Sequence, residues 1–149
     1  MGALLHDIGK VLIQRWRPEG YREAIRLSHA KNIPLHIAET MELGFSHPLA
    51  VEILLSRWRM PGSLILLLKE CHDPAPGNRF LESSVISLAE HVARYLDIGA
   101  DGIRWTLEID PAIRNSLGIE ARTIVEFVDS GFRDFVERSV GSFLAKSAF

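Results

Sequence analysis

Apolar residues in this chain recur at steps of three and four, and prolines and glycines cut the pattern into short stretches. That periodicity fits helices and leaves little room for anything else. Leu4, Leu5, Ile8, Val11 and Leu12 predict one amphipathic helix from the first residues to about Trp16, ended by Pro18. A second helix is expected over about Glu19 to Lys31, with Ile25 and Leu27 among its charges. A third, short one starts at Pro34 and stops near Gly44. Ser46 is a suitable N-cap and Pro48 a suitable first-turn residue for a fourth. There Val51, Leu54, Leu55 and Trp58 fall on one face, and Pro61-Gly62 closes the helix. Ser63 to Glu70 is apolar on most sides and is expected to be the most buried helix.

Residues 73–78, Asp-Pro-Ala-Pro-Gly-Asn, form the clearest loop signal. Val85, Leu88, Ala89, Val92 and Leu96 make the next inward stripe. The pattern then weakens around the turn signal Asp101-Gly102, and Arg104 to Ile109 could be extended. Asp110-Pro111 is a cap and first-position pair for a helix stopping at Leu117-Gly118. A last helix begins near Glu120 with Ile124, Phe127, Val128, Phe135 and Val136 facing in, kinked or split at Ser130-Gly131. There is no repeat, no low-complexity tract and no hairpin signal. The expected fold is all-α, a multi-helix bundle without a significant sheet.

Charge and cysteine content narrow the function classes. A net charge of -2 gives no electrostatic reason to expect nucleic acid or an anionic membrane as partner. The longest apolar run, Leu64 to Leu68, is far short of the roughly 20 residues needed to span a bilayer. Cys71 is the one cysteine, so no intrachain disulfide is possible, and a reducing, cytoplasmic setting is expected. Cys71 itself reads as a small buried hydrophobe. No Ser-His-Asp pattern, Gly-rich phosphate loop or Cys-x-x-Cys pair occurs.

Among residues able to carry chemistry, His6-Asp7 stands first. Imidazole and carboxylate together suit a divalent metal such as Zn, Fe or Mn. On a continuous helix, however, adjacent side chains point about 100° apart and converge only at the helix edge. Taken alone, the pair reads more readily as a surface histidine beside an ordinary carboxylate. His29 is expected to be solvated, His36 to be exposed at a helix start, and His91 to be partly buried and hydrogen-bonded. Trp16 and Trp58 read as core or interface residues.

The wider pattern adds to this. Leu4-Leu5-His6-Asp7-Ile8-Gly9-Lys10 resembles the signature of the HD superfamily. Gly44-Phe45-Ser46-His47, then Leu54-Leu55 with Trp58 and Pro61, then Cys71-His72-Asp73-Pro74 and Leu88-Ala89-Glu90, are similar in order and spacing to its HD-related output domain branch (HDOD), apparently lacking the family's N-terminal part. On this resemblance one domain is expected over 1–149, with the motif region at 3–97 and a helical extension at 98–149.

The resemblance implies a divalent-metal site (Mn, Fe, Zn or Mg) drawn from His6, Asp7, His47, His72 and Glu90, weak or vestigial in character. Three departures point that way. The upstream histidine of active relatives has no position here, Glu90 stands where an aspartate or asparagine is usual, and Cys71 replaces one histidine of a pair. Lys10 would hold or protonate a phosphate in an active relative; otherwise it is a solvated surface lysine. Residues 75–79, Ala-Pro-Gly-Asn-Arg, replace the Gly-Tyr-Pro-type loop of cyclic-dinucleotide phosphodiesterases, which argues against that activity.

The expected function is therefore a non-catalytic or degenerate HD-type signalling output and interaction module of bacteria, acting through protein partners, with a homodimer as one way to complete the site. The alternative is a metal-dependent phosphohydrolase. The first helix starts without a capping residue, so either the chain extends upstream or this end packs on something else.

Overall fold

A computed structural model describes residues 2–72, 81–96, 98 and 108–146. The expected loop at 73–78, the Asp101-Gly102 turn and most of 104–109 lie outside the described residues. The described chain is helical, with no strand in it. The elements are α1 (Gly2–Leu5), α2 (Ile8–Trp16), α3 (Pro18–Lys31), α4 (Leu35–Leu43), α5 (His47–Arg57), α6 (Gly62–Glu70), α7 (Leu81–Tyr95), α8 (Pro111–Leu117), α9 (Ala121–Phe127), a π-type turn (Val128–Phe132) and α10 (Arg133–Lys146).

Helix ends follow the punctuation closely. Pro18 opens α3, Gly44 caps α4 in the left-handed region (φ 80°), and Ser46 precedes α5. Asp110 accepts a 2.7 Å hydrogen bond from the Ala112 amide at the start of α8. Gly131 has φ 96°, which a residue with a Cβ rarely adopts, and it splits the last helix as expected.

Two apolar clusters organise the packing. Val51, Leu55 and Leu68 centre the first, which joins α1, α2, α5, α6 and Ile86 of α7. Val92, Leu96, Ile109, Ile113, Ile124 and Val128 form the second, around α7, α8 and α9. Helix α7 therefore takes part in both.

Four expectations are corrected. The first helix is not continuous: it breaks at His6-Asp7, where Asp7 has φ -103° and ψ 1°. Helix α6 is not the most buried, for only Leu68 and Glu70 are buried in it and Leu66 is exposed. On α7 the inward face carries Ser83, Ser84 and Ser87 with Val92 and Leu96, while Val85 and Ala89 turn outward. Each serine hydroxyl has a partner: Ser83 donates to Leu67 O (3.1 Å), Ser87 to Cys71 O (2.6 Å), and Ser84 pairs with Ser116 (2.5 Å). A hydroxyl so bonded can be buried at little cost. Phe127 and Phe135, expected to face in, are exposed; Trp16 and Trp58 are exposed too, which removes the core from their two expected places and leaves the interface. Their spacing fits a helix face, but no described element buries them.

Candidate metal centre

The break between α1 and α2 solves the problem of two adjacent ligands. His6 and Asp7 form the turn itself, so both side chains reach one point, with His6 Nε2 3.5 Å from Asp7 Oδ2. The other ring nitrogen of His6 lies 2.8 Å from Ala3 O. A carbonyl oxygen can only accept, so Nδ1 holds the proton and Nε2 is left with a lone pair toward Asp7.

Two later histidines meet the same carboxylate. His47 is the first residue of α5, and α5 comes close to α2 because Gly9 has no side chain. A Cβ at Gly9 would stand 2.2 Å from the His47 carbonyl oxygen. That proximity brings His47 Nε2 to 3.5 Å from Asp7 Oδ1. His72, just after α6, places its Nε2 3.9 Å from the same oxygen. The rings of His47 and His72 are 4.7 Å apart, and those of His6 and His72 stack at 5.5 Å.

Two carboxylates stand behind these rings. Glu39 of α4 is fully buried; its Oε2 accepts from the His47 amide at 2.7 Å and lies 2.6 Å from His47 Nδ1. Glu90 of α7 has its Oε2 3.6 Å from His72 Nδ1 and is paired with Arg94. Glu90 thus faces the ring nitrogen of His72 that points away from Asp7. It stands behind a candidate ligand instead of beside the other three. Lys10, one turn past Asp7, donates a 2.7 Å hydrogen bond to Asp7 Oδ2 and is not a solvated lysine standing alone.

Electrostatics leave this cluster with acceptors and few protons. Burial pushes the His47 imidazole down to about 3, and the Lys10 ammonium adds to that. Burial lowers His72 in the same way, against the opposing charge of Glu90. For Asp7, burial alone would raise the carboxyl, but Lys10, His6 and His47 together bring it below its ordinary value. Glu39 is pushed up to about 7 by burial, against the His47 amide that bonds it. Among the described residues, Asp7 Oδ1, Glu39 Oε1, His47 Nε2 and His72 Nε2 are buried atoms without a hydrogen-bond partner. Buried polar groups are normally satisfied, and a cation held by Asp7 Oδ1 and the two Nε2 atoms would satisfy three of these four.

The spacing suits one. Bonds of 2.0–2.2 Å at tetrahedral angles hold ligand atoms about 3.3–3.6 Å apart, and two of the three nitrogen–oxygen separations are 3.5 Å. His6, Asp7 and His72 each offer an atom within 4.8 Å of the others. His47 falls outside that group of three and adjoins it through Asp7 Oδ1 at 3.5 Å; imidazoles with a carboxylate suit Zn, Fe or Mn better than Mg.

The HDOD domain family model matches residues 1–74, about half of the chain. This segment belongs to the HDOD family. No curated protein and no solved structure matches the chain. The HDOD segment contains His6, Asp7, Lys10, His47 and His72, whereas Glu90 lies beyond it on α7.

Sequence reasoning missed two residues of this centre. Glu39 sits among ordinary helix-surface residues in the sequence, and nothing in its spacing marks it. His36 was expected to be exposed; instead it is half-buried, 6.4 Å from the His47 ring and 6.0 Å from that of His72. Both are on α4, three residues apart and so on one helix face, which is the signal that could have grouped them. Elsewhere His29 is exposed, and His91 is half-buried with Nδ1 2.8 Å from Ser87 O, as expected. Cys71 is buried, its thiol raised to about 12 by burial and by the nearby Glu90 and Asp7 charges, which suits a packing role.

Proposed function

We propose that the chain is an output and interaction module of bacterial signal transduction, with a divalent metal bracing its helices at His6, Asp7, His47 and His72. The observation that carries the module reading is an almost wholly apolar groove of about 480 Å³ between α2 and α5, lined by Leu12, Trp16, Phe45, Ile53 and Leu54. Trp16 is 72% exposed at its edge. Apolar patches of this kind mark contact surfaces for other chains. The partner is a protein of the signalling pathway or a second copy of this chain. No described helix is long and apolar enough to cross a membrane, and the working location is taken as the cytoplasm. Residues 1–149 act together as one domain in this reading, because α7 stands against His72 from outside the HDOD segment.

In such a module the chain's own groups do the holding. The three Nε2 atoms and the Asp7 carboxylate would bind the ion, and the turn at 6–7 with the N-terminus of α5 fixes their spacing. A bound divalent ion would supply Lewis acidity and a water of lowered pKa. The phosphohydrolase reading draws on one further observation: the Asp7 side chain is 38% exposed with the Lys10 ammonium beside it, so a phosphate could approach from solvent. Lys10 would then neutralise phosphate charge only after leaving Asp7.

Metal analysis and a turnover panel test these readings together. The module reading expects close to one equivalent of metal and no hydrolysis of generic phosphomonoesters or phosphodiesters with Mn²⁺ added. Turnover that His6→Ala and Asp7→Ala abolish would overturn it in favour of the enzyme. A stable protein without metal affinity would remove the metal from both.

A further inference from the structure

We propose that Glu39 is a positioning residue that fixes the tautomer of His47 and so aims its Nε2 lone pair at Asp7. The inference deepens the metal-site reading above and rests on it for its affinity arm, while its tautomer arm stands on the metal-free protein.

The argument begins with what Glu39 touches. It is on α4, eight residues before His47, and its side chain is fully buried. One oxygen, Oε2, meets both the His47 amide at 2.7 Å and the His47 ring at Nδ1, 2.6 Å away. As a carboxylate Glu39 has only acceptors to offer. The ring must then supply the proton of the short contact, and that proton is on Nδ1. Neutral imidazole carries one ring proton, so Nε2 is left bare. It is the bare Nε2 that stands 3.5 Å from Asp7 Oδ1 with no partner of its own. The two-point grip on amide and ring also fixes the ring's orientation at the first residue of α5. Ser46, at the N-cap position, makes no side-chain bond to that helix, so Glu39 takes over this capping role from a different helix.

The other two histidines supply an internal comparison. His6 has the same tautomer for a different reason, its Nδ1 bonding to Ala3 O at 2.8 Å. His72 has Glu90 at 3.6 Å from Nδ1, beyond hydrogen-bond length, so its tautomer is biased by charge and held less firmly. The carboxylate–histidine–metal arrangement raises ligand basicity, and loss of such a partner typically lowers metal affinity 10–100-fold.

Because Glu39 also caps α5, its removal could act through stability alone, and the test separates the two. Long-range ¹H–¹⁵N spectra of metal-free protein at pH 8 read each histidine tautomer directly. The wild type is expected to show His47 protonated at Nδ1. Glu39→Gln is expected to convert it to a mixture containing the Nε2–H form and to weaken Zn²⁺ binding, measured by chelator competition, by 10–100-fold. Glu39→Asp is expected to recover part of both. Gly131→Ala, which strains a left-handed residue (φ 96°) in the π-type turn between α9 and α10, controls for stability: it should lower the melting temperature and leave His47 and Zn²⁺ affinity unchanged.

An Nε2–H form of His47 in the wild type, or an unchanged tautomer in Glu39→Gln, would overturn the proposal. So would an affinity loss no larger than that of Gly131→Ala, which would make Glu39 a cap and nothing more. A wild type that binds no Zn²⁺ would overturn the metal-site reading, while the tautomer spectra would still decide the role of Glu39.

Discussion

Replacing Gly9 by alanine should damage the metal centre more than the fold. A Cβ at that position would stand 2.2 Å from the His47 carbonyl oxygen, 2.9 Å from its carbon and 3.1 Å from Cα. These are backbone atoms, so no side chain can rotate out of the way. A carbon–oxygen contact relaxes at about 3.3 Å, so α2 and α5 must part by ~1 Å. His47 Nε2 starts 3.5 Å from Asp7 Oδ1, and an extra ~1 Å takes the pair to about 4.5 Å. Two ligand atoms on one ion are at most about 4.2–4.4 Å apart even when they face each other across it.

The ion must then give up one of the two, and Zn²⁺ affinity should fall at least ~100-fold. Stability moves less. Forcing a methyl into a packed contact costs about 1–3 kcal/mol, and exchanging a helical glycine for alanine returns about 0.8–1 kcal/mol. The net loss in a urea melt of metal-free protein is ~0–2 kcal/mol. Gly141→Ala, in α10 with nothing within 4 Å of the added carbon, is the matched control and should gain the full propensity term. If Gly9→Ala is stabilised as much as Gly141→Ala and binds Zn²⁺ within ~3-fold of wild type, the close approach of α2 to α5 is refuted.

Other perturbations probe separate parts of the structure. His6→Ala and Asp7→Ala should each abolish stoichiometric metal uptake while leaving the far-ultraviolet circular dichroism unchanged. In the metal-free protein the two buried groups oppose each other with pH. The His47 contribution, with a folded pKa of about 3 against 6.5, is present above 6.5 and lost as pH falls toward 3. The Glu39 contribution, with about 7 against 4.5, is full below 4.5 and lost as pH rises through about 7. Urea melts across pH should therefore show His47→Gln reducing the acid slope by about one proton, ~1.4 kcal/mol per pH unit. An unchanged slope would mean that His47 is not buried in neutral form. Ser87→Ala should cost about 1–3 kcal/mol by leaving the buried Cys71 carbonyl without its 2.6 Å donor; a loss below ~0.5 kcal/mol would show that water replaces the hydroxyl.

The helical class and most helix ends were legible because proline, glycine and capping residues act locally. Asp110-Pro111 and Leu117-Gly118 mark the limits of α8 to the residue. The same local signals concealed the break at His6-Asp7, since Leu4, Leu5, Ile8 and Val11 keep helical spacing straight through it. At the break, His47 of α5 and His72 just after α6 come up to the Asp7 carboxylate, tertiary neighbours that no local spacing announces. Burial on α7 was misjudged for a related reason. Hydropathy alone puts Val85 and Ala89 inside, yet Ser83, Ser84 and Ser87 go in because carbonyls and a hydroxyl from α6 and α8 await them. His47 and His72 were legible through the resemblance, as motif positions. Glu39 was not, because a carboxylate that acts on another residue's ring leaves no spacing of its own in the sequence.

The station of α7 against His72 bears on how this protein should be handled. The HDOD segment ends at residue 74, whereas the hydroxyl that grips the Cys71 carbonyl and the charge behind the His72 ring come from Ser87 and Glu90. A piece expressed to the homology boundary would keep His6, Asp7, His47 and His72 and lose the wall against which the His72 ring leans. Truncation experiments that stop there would report a feeble binder and misassign the cause. The shortest piece worth purifying keeps α8 and α9 as well, since Val92 of α7 is buried against Ile113, Ile124 and Val128 and Ser84 against Ser116.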